Sequence, residues 1–260
     1  MNLKIKTVIE ELLKLYPLQK QTVWDASGII NKSFQNQTLQ KILICADLNN
    51  SSLQKAIENK ANLIISHHPL SLDLKKDKDL FIKRTLLELK KHHIVLCVLH
   101  TNFDLSKNGL IESFCYSLNY HKWSVCNFDK GLFSIAVNDH LQNFCNALKE
   151  HEFIDYIKMN ELFYIKNPLI KRVLFGLGSY YSAAIEYPQK IKKYDLFVTG
   201  DLKWSSWVHA ENHMINVIDI GHKIEAVFIS QIRLQLKKIF KATIDSKILY
   251  NLPILKMKVI

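Results

Sequence analysis

Three short apolar runs, each ending on polar groups, constrain this chain more than any other feature. They are Lys41-Ile-Leu-Ile-Cys-Ala-Asp47, Asn62-Leu-Ile-Ile-Ser-His-His68 and His93-Ile-Val-Leu-Cys-Val-Leu-His100. Runs of this length, rich in β-branched residues, read as buried strands of a parallel sheet. Helical signals lie between and behind them. Asn49, Asn50 and Ser51 are candidate caps for a helix through Ala61. Leu80, Phe81, Leu86, Leu87 and Leu89 mark a second helix, closed by the cations of Lys90-Lys91-His92-His93. A third helical pattern runs from Leu110 to Leu118. The first half therefore reads β-α-β-α-β-α, an α/β architecture whose ligands collect outside the carboxyl ends of the strands.

The second half repeats the theme less regularly. Arg172-Val-Leu-Phe175 leads into Gly176-Leu-Gly178-Ser179, Tyr194-Asp-Leu-Phe-Val198 into Thr199-Gly200-Asp201, and Val217-Ile-Asp-Ile220 into Gly221-His222. A helical pattern follows from about His222 to Ile239, with Glu225 in its first turn. Residues three apart share a helix face, so His222 and Glu225 can aim at one point.

At 260 residues and 48% hydrophobic composition the chain can bury a sizeable core, as two modest domains or one large one. Helical patterning lapses near Tyr120 to Gly131, the expected junction. Neither a membrane-spanning apolar run nor a secretory signal is read, since the amphipathic stretch Ile5 to Tyr16 carries Glu10 and Glu11. The five cysteines, at 45, 97, 115, 126 and 145, lack C-x-x-C spacing, which argues against a disulfide framework or zinc ribbon and for a reducing, cytoplasmic setting. The net charge of +11 raises the question of nucleic acid. Arginine, the residue suited to bidentate phosphate and base contacts, supplies only positions 84, 172 and 233, so solvated lysine faces are favoured.

Taken singly, each polar residue at a strand end has an ordinary structural explanation. Convergence changes the weighing: His67, His68, Asp104, His222 and Glu225 all fall at or just beyond predicted strand ends. Three imidazoles and two carboxylates without a thiolate suit Zn, Mn or Fe. Adjacent side chains diverge along an extended backbone, so His67 and His68 are expected to serve two neighbouring ions, one each. His100 is the candidate for orienting a ligand. Asp47 and Asp201 end strands on the same rim, where a cap or turn acid is the simpler expectation. Gly176-Leu-Gly178-Ser179 is expected to be a tight turn rather than a phosphate cradle. His209 and His213, four apart, show no third ligand, and His92-His93 reads as a solvated helix end.

Six blocks carry a resemblance: Trp24-Asp-Ala-Ser-Gly28, Ser66-His-His-Pro69, His100-Thr-Asn-Phe-Asp104, Gly176-Leu-Gly-Ser179, Thr199-Gly-Asp-Leu-Lys203 and Ile218-Asp-Ile-Gly-His-Lys-Ile-Glu225. In this order they resemble the dinuclear metal-centre, or Nif-three-like, family, whose bacterial members are labelled GTP cyclohydrolase 1 type 2 homologues. The resemblance implies two divalent ions per chain held by His67, His68, Asp104, His222 and Glu225. It further implies two interlinked α/β domains with mixed, mostly parallel sheets, a metal cleft between them, and a homohexamer. The expected spans are 1–122 plus about 215–260 for the metal-binding domain and about 123–214 for the second. The implied activity is metal-dependent hydrolysis of an unidentified small molecule such as a nucleotide or phosphoester; the alternative is a non-enzymatic metal-binding adaptor. In two places the chain departs from the family pattern. His222 and Glu225 stand three apart rather than four, and Trp204-Ser-Ser-Trp207 occupies a region where a histidine is usual. Those tryptophans are expected to serve packing or a subunit interface. The sequence has no G-x-x-x-x-G-K-[ST] loop or other guanine-reading element.

Overall fold

Each apolar run of the first half becomes a strand of four residues or fewer, as its length before the polar stop requires. The computed structural model describes residues 3–74, 76 and 78–252. In chain order the strands are β1 (Gly28–Ile30), β2 (Ile42–Cys45), β3 (Leu63–Ser66) and β4 (Val95–Val98). Then come β5 (Ser124–Val125), β6 (Phe133–His140), β7 (Lys158–Met159), β8 (Leu169–Phe175), β9 (Leu196–Thr199) and β10 (Val217–Asp219). The chain returns in β11 (Ile248–Asn251). They form two mixed sheets, so the protein is mixed α/β.

Two units divide the chain: one runs up to Leu110 and resumes at Phe228, the other runs from Ile111 to Val227. The sequence places the return at about 215; β10 pairs with β9 and β7, and the second unit runs to Val227. Residues 253–260 of that expected return lie outside the described residues.

In the first unit the order is β1-β4-β3-β2-β11, with β4, β3, β2 and β11 parallel and β1 antiparallel on the β4 edge. Ile44 pairs with Ile65 and Ile65 with Cys97, and every residue of β2, β3 and β4 is buried. Burial on both faces explains why these runs do not alternate. One layer of the core joins Leu43, Leu53, Ala56, Ile64, Leu89 and Leu96 from strands and helices alike. The helix Asn50–Glu58 starts where Asn49 accepts the Ser52 amide at 3.0 Å. It stops three residues before Ala61, because Lys60 turns left-handed (φ 57°) and the Ala61 amide reaches back to the Ala56 carbonyl at 2.8 Å. That closure supplies partners for the last carbonyls of the helix. The helix Leu80–Lys91 is capped by Asp79, whose carboxylate accepts the Phe81 amide, and ends at His92.

The second sheet has the order β5-β6-β8-β9-β10-β7, with β8, β9 and β10 parallel. Its core sets Leu132, Leu174, Phe197, Val217 and Tyr181 together. As in the first sheet, the parallel strands release their chains at one edge, where the polar motifs begin. Among the described residues no helix is long and apolar enough to cross a membrane.

Candidate metal centre

β3 ends at Ser66, and the chain leaves the extended path at once. The His67 and His68 amides both donate to the Ala46 carbonyl, at 3.1 and 2.9 Å. Divergence of adjacent side chains presumes extended backbone, and here it does not apply: the two rings lie side by side, their centroids 4.7 Å apart. His67 is fully buried, seated against Phe103 and Phe228 at 5.8 and 5.0 Å.

Hydrogen bonds fix which nitrogen of each imidazole can bind. His67 Nδ1 lies 2.9 Å from the Leu99 carbonyl oxygen, which only accepts, so Nδ1 carries the proton and Nε2 the lone pair. His68 Nδ1 donates to Asp47 Oδ1 at 2.8 Å, with the same result. His67 Nε2 stands 3.6 Å from Asp104 Oδ1. That is too long for a hydrogen bond, yet close to the roughly 3.4 Å between two donors sharing a tetrahedral ion at about 2.1 Å.

His100 belongs to the same group. One nitrogen from each of His67, His68 and His100 lies within 4.8 Å of the other two. Its Nδ1 donates to Asp25 Oδ1 at 2.7 Å. Asp25 also accepts from the Ala26 amide, the Ser27 hydroxyl, and both the amide and hydroxyl of Thr101. Burial pushes this carboxyl toward its neutral form, but the bonds from His100, Ser27 and Thr101 outweigh it and hold the pKa well below the usual carboxylate range. Asp25 was missed in the sequence because 75 residues separate it from His100; its place in the Trp24-Asp-Ala-Ser-Gly28 block was the only signal.

In the second unit the His222–Ala226 segment is a 3-10 turn, and the α-helix proper is Val227–Phe240. A 3-10 helix repeats every three residues and superposes i on i+3. The three-residue spacing therefore aligns its pair well: His222 Nε2 lies 2.8 Å from Glu225 Oε2. His222 Nδ1 donates to Asp201 Oδ2 at 2.7 Å. Asp47 and Asp201 thus orient imidazoles, where a cap or turn acid was expected; the cap in the first case is Asn49.

Close backbone contact builds this half. The Gly200 amide donates to the Gly178 carbonyl at 2.8 Å, and a Cβ on Gly200 would come within 2.7 Å of the Gly221 backbone. Gly178, at φ 67°, has Glu225 against it: a Cβ there would fall 1.9 Å from Oε1. Gly176-Leu-Gly178-Ser179 is therefore a tight turn, as expected, and its glycine seats a carboxylate. Asp219, unassigned in the sequence, is buried and accepts the Leu202 and Gly221 amides at 3.1 and 2.8 Å. It ties together the loops that carry Asp201 and His222.

The remaining candidates play other parts. His209 and His213 stack at 4.2 Å, with the Tyr181 hydroxyl 3.0 Å from His209 Nδ1. They belong to no three-residue ion-holding group among the described residues. His92 sits at the helix end beside Glu88. Trp204 and Trp207 line a groove of about 580 Å³ with Phe163, Met214, Lys158 and Lys166. Trp204 is 82% exposed, so packing within this chain is not its role.

The donors fit a borderline divalent ion: imidazole Nε2 atoms beside carboxylates. Thiolates are not on offer, since all five cysteines are free and buried, and burial pushes Cys45 and Cys97 up to about 12. Partners that hold the far nitrogen of a ligating histidine typically tune affinity about 10- to 100-fold. Asp47→Asn and Asp201→Asn are each expected to weaken zinc binding by that factor, in competition with a chromophoric chelator, while thermal stability of the metal-free protein holds.

Mixed α/β units with anchored imidazoles and carboxylates at their strand ends define a protein equipped to hold a metal ion. The chain belongs to the Duf34/NIF3 (NGG1p interacting factor 3) family, whose model matches residues 3–251, in agreement with the six blocks read in the sequence. It is 30% identical to a Ureaplasma parvum protein called GTP cyclohydrolase 1 type 2 homolog, over 100% of this chain and 99% of that one. A Helicobacter pylori (strain J99) protein called GTP cyclohydrolase 1 type 2 is 29% identical over 84% of this chain and 85% of its own. A solved hypothetical protein of Staphylococcus aureus shares the fold, with a TM-score of 0.82, 21% identity and both chains covered in full.

Proposed function

We propose that this protein is a dinuclear metal-dependent hydrolase, with His67, His68, Asp104, His222 and Glu225 ligating two divalent ions of Zn, Mn or Fe. One observation carries the reading: His67 and His68 each commit Nδ1 to a fixed acceptor and so turn an Nε2 lone pair toward binding, while His222, anchored through Nδ1 on Asp201, sets its Nε2 2.8 Å from the Glu225 carboxylate. A ring that served only packing would not need this orientation repeated. When bound, such ions polarise a substrate oxygen and make water a stronger nucleophile near neutral pH. The chain's own part is to hold the donors in register, through Asp47, Asp201, the Leu99 carbonyl and the Gly178 seat beneath Glu225.

The proposed substrate is a small phosphoester or nucleotide, and the proposed assembly a cytoplasmic homohexamer. Action on GTP, the substance in the relatives' names, enters as one member of the test panel. The reading of the chain as a non-enzymatic metal-binding adaptor predicts no turnover of any member. Wild type and Glu225→Gln, loaded with Mn or Zn, would be assayed against phosphoesters and nucleotides, with ion content and assembly size measured alongside. The hydrolase reading expects turnover in wild type, and loss of turnover with one ion in the variant, the assembly intact. No turnover in wild type, with collapse of the assembly in the variant, would favour the adaptor.

A further inference from the structure

We infer that the second unit carries a nucleotide site, separate from the metal donors, in the groove lined by Trp204, Trp207, Lys158 and Lys166. The ligand it fits is a nucleoside monophosphate, a planar base joined to an anionic phosphate. The site needs neither ions nor turnover, so it stands or falls apart from the hydrolase reading.

Three features of the groove carry the inference. First, enclosure: its described lining lies wholly between residues 158 and 217, so one unit builds it. Buried Ala210, Ile215 and Val217 contribute to that lining, and the volume of about 580 Å³ falls within the roughly 300–1,000 Å³ usual for small-molecule sites. Second, unpartnered apolar surface: Trp204, Met214 and Leu162 are 82%, 73% and 66% exposed around this one groove. Clustered exposure of that kind marks a binding surface. Trp204, Trp207 and Phe163 offer aromatic faces, and stacking on one such face strengthens the binding of a base by roughly tenfold or more. Third, charge: Lys158 and Lys166 supply two cations to match the roughly −2 charge of a phosphate monoester near neutral pH. Lys158 is held in place, its Nζ 4.4 Å from the centre of the Tyr156 ring. Glu211 also lines the groove, and its carboxylate is suited to accept from the N–H groups that every common base carries. A second copy of the chain would bring its own charge of +11 to these lysines, whereas an anion complements them.

The test titrates AMP, UMP, adenosine and inorganic phosphate into the full-length chain by calorimetry, with EDTA present throughout. We expect one nucleotide per chain, bound more tightly than adenosine or phosphate alone. Trp204→Ala should weaken AMP and adenosine about tenfold, and Trp204→Phe should restore most of the loss. Lys158→Ala/Lys166→Ala should weaken AMP while leaving adenosine unchanged. These side chains are exposed, so the variants keep the fold. AMP affinity unchanged in Trp204→Ala would place the nucleotide elsewhere and overturn the site, as would AMP bound no more tightly than phosphate. Affinity that climbs with the length of an oligoadenylate would overturn the single-nucleotide ligand in favour of a strand. No nucleotide binding in wild type, with self-association in sedimentation lost on Trp204→Ala, would overturn it in favour of a second copy. Because EDTA removes ions from the experiment, failure here leaves the metal reading standing, and failure of the metal reading leaves this result standing.

Discussion

Phe103→Ala is expected to lower stability by about 3–5 kcal/mol, the usual loss for a fully buried phenylalanine truncated in a packed core. Phe103 is wholly buried and meets Tyr16 and Phe228 edge to face, each at 5.0 Å. Such pairs contribute about 0.5–1.5 kcal/mol beyond the area they bury. Against a total stability of roughly 5–15 kcal/mol this is a large fraction, and the melting temperature should fall by about 10 °C. The same ring is one wall of the His67 seat, at 5.8 Å. Metal affinity should therefore fall together with stability. Calorimetry and a zinc competition titration on the same sample check both, and Phe103→Leu, which keeps most of the volume, should restore most of each. A melt within about 2 °C of wild type, equivalent to about 1 kcal/mol or less, would show that the ring does not hold this part of the core together.

Gly178→Ala is expected to have the opposite profile, a modest effect on stability and a severe one on the metal. A left-handed conformation costs a non-glycine residue about 1–2 kcal/mol, and Gly178 has φ 67°. The added methyl would lie 1.9 Å from Glu225 Oε1 and 2.8 Å from its Cδ, so the carboxylate must leave its place. His222 then loses the partner now 2.8 Å from its Nε2. Zinc affinity should drop at least as far as in Glu225→Gln, with the melting temperature of the metal-free chain only a few degrees lower. Wild-type affinity in Gly178→Ala would mean that Glu225 is not a ligand from this seat.

The strands and the donors were readable because both are written locally. A four-residue apolar run bounded by polar groups is a strand whatever surrounds it, and a histidine at its end is visible as such. What escaped depends on contacts between distant segments. Asp25 reaches His100 across 75 residues, and β11 closes the first sheet by pairing with β2 some two hundred residues earlier. The 3-10 turn at His222 escaped for another reason. Over four residues, periods of 3.0 and 3.6 select the same side chains, so the spacing of His222 and Glu225 shows a shared face but not the helix type. The two-residue strands β5 and β7 are set by edge pairing alone, with too few residues to show a pattern. Gly178 was legible as a turn residue; that the turn exists to admit Glu225 required the fold.

The two-ion centre is tested by the ion content of the protein purified without added metal and then reconstituted with Zn, Mn or Fe. About two ions per chain are expected in wild type and one or none in His68→Ala, consistent with a two-ion site of the hydrolytic type. Fewer than one ion per chain in reconstituted wild type would contradict it.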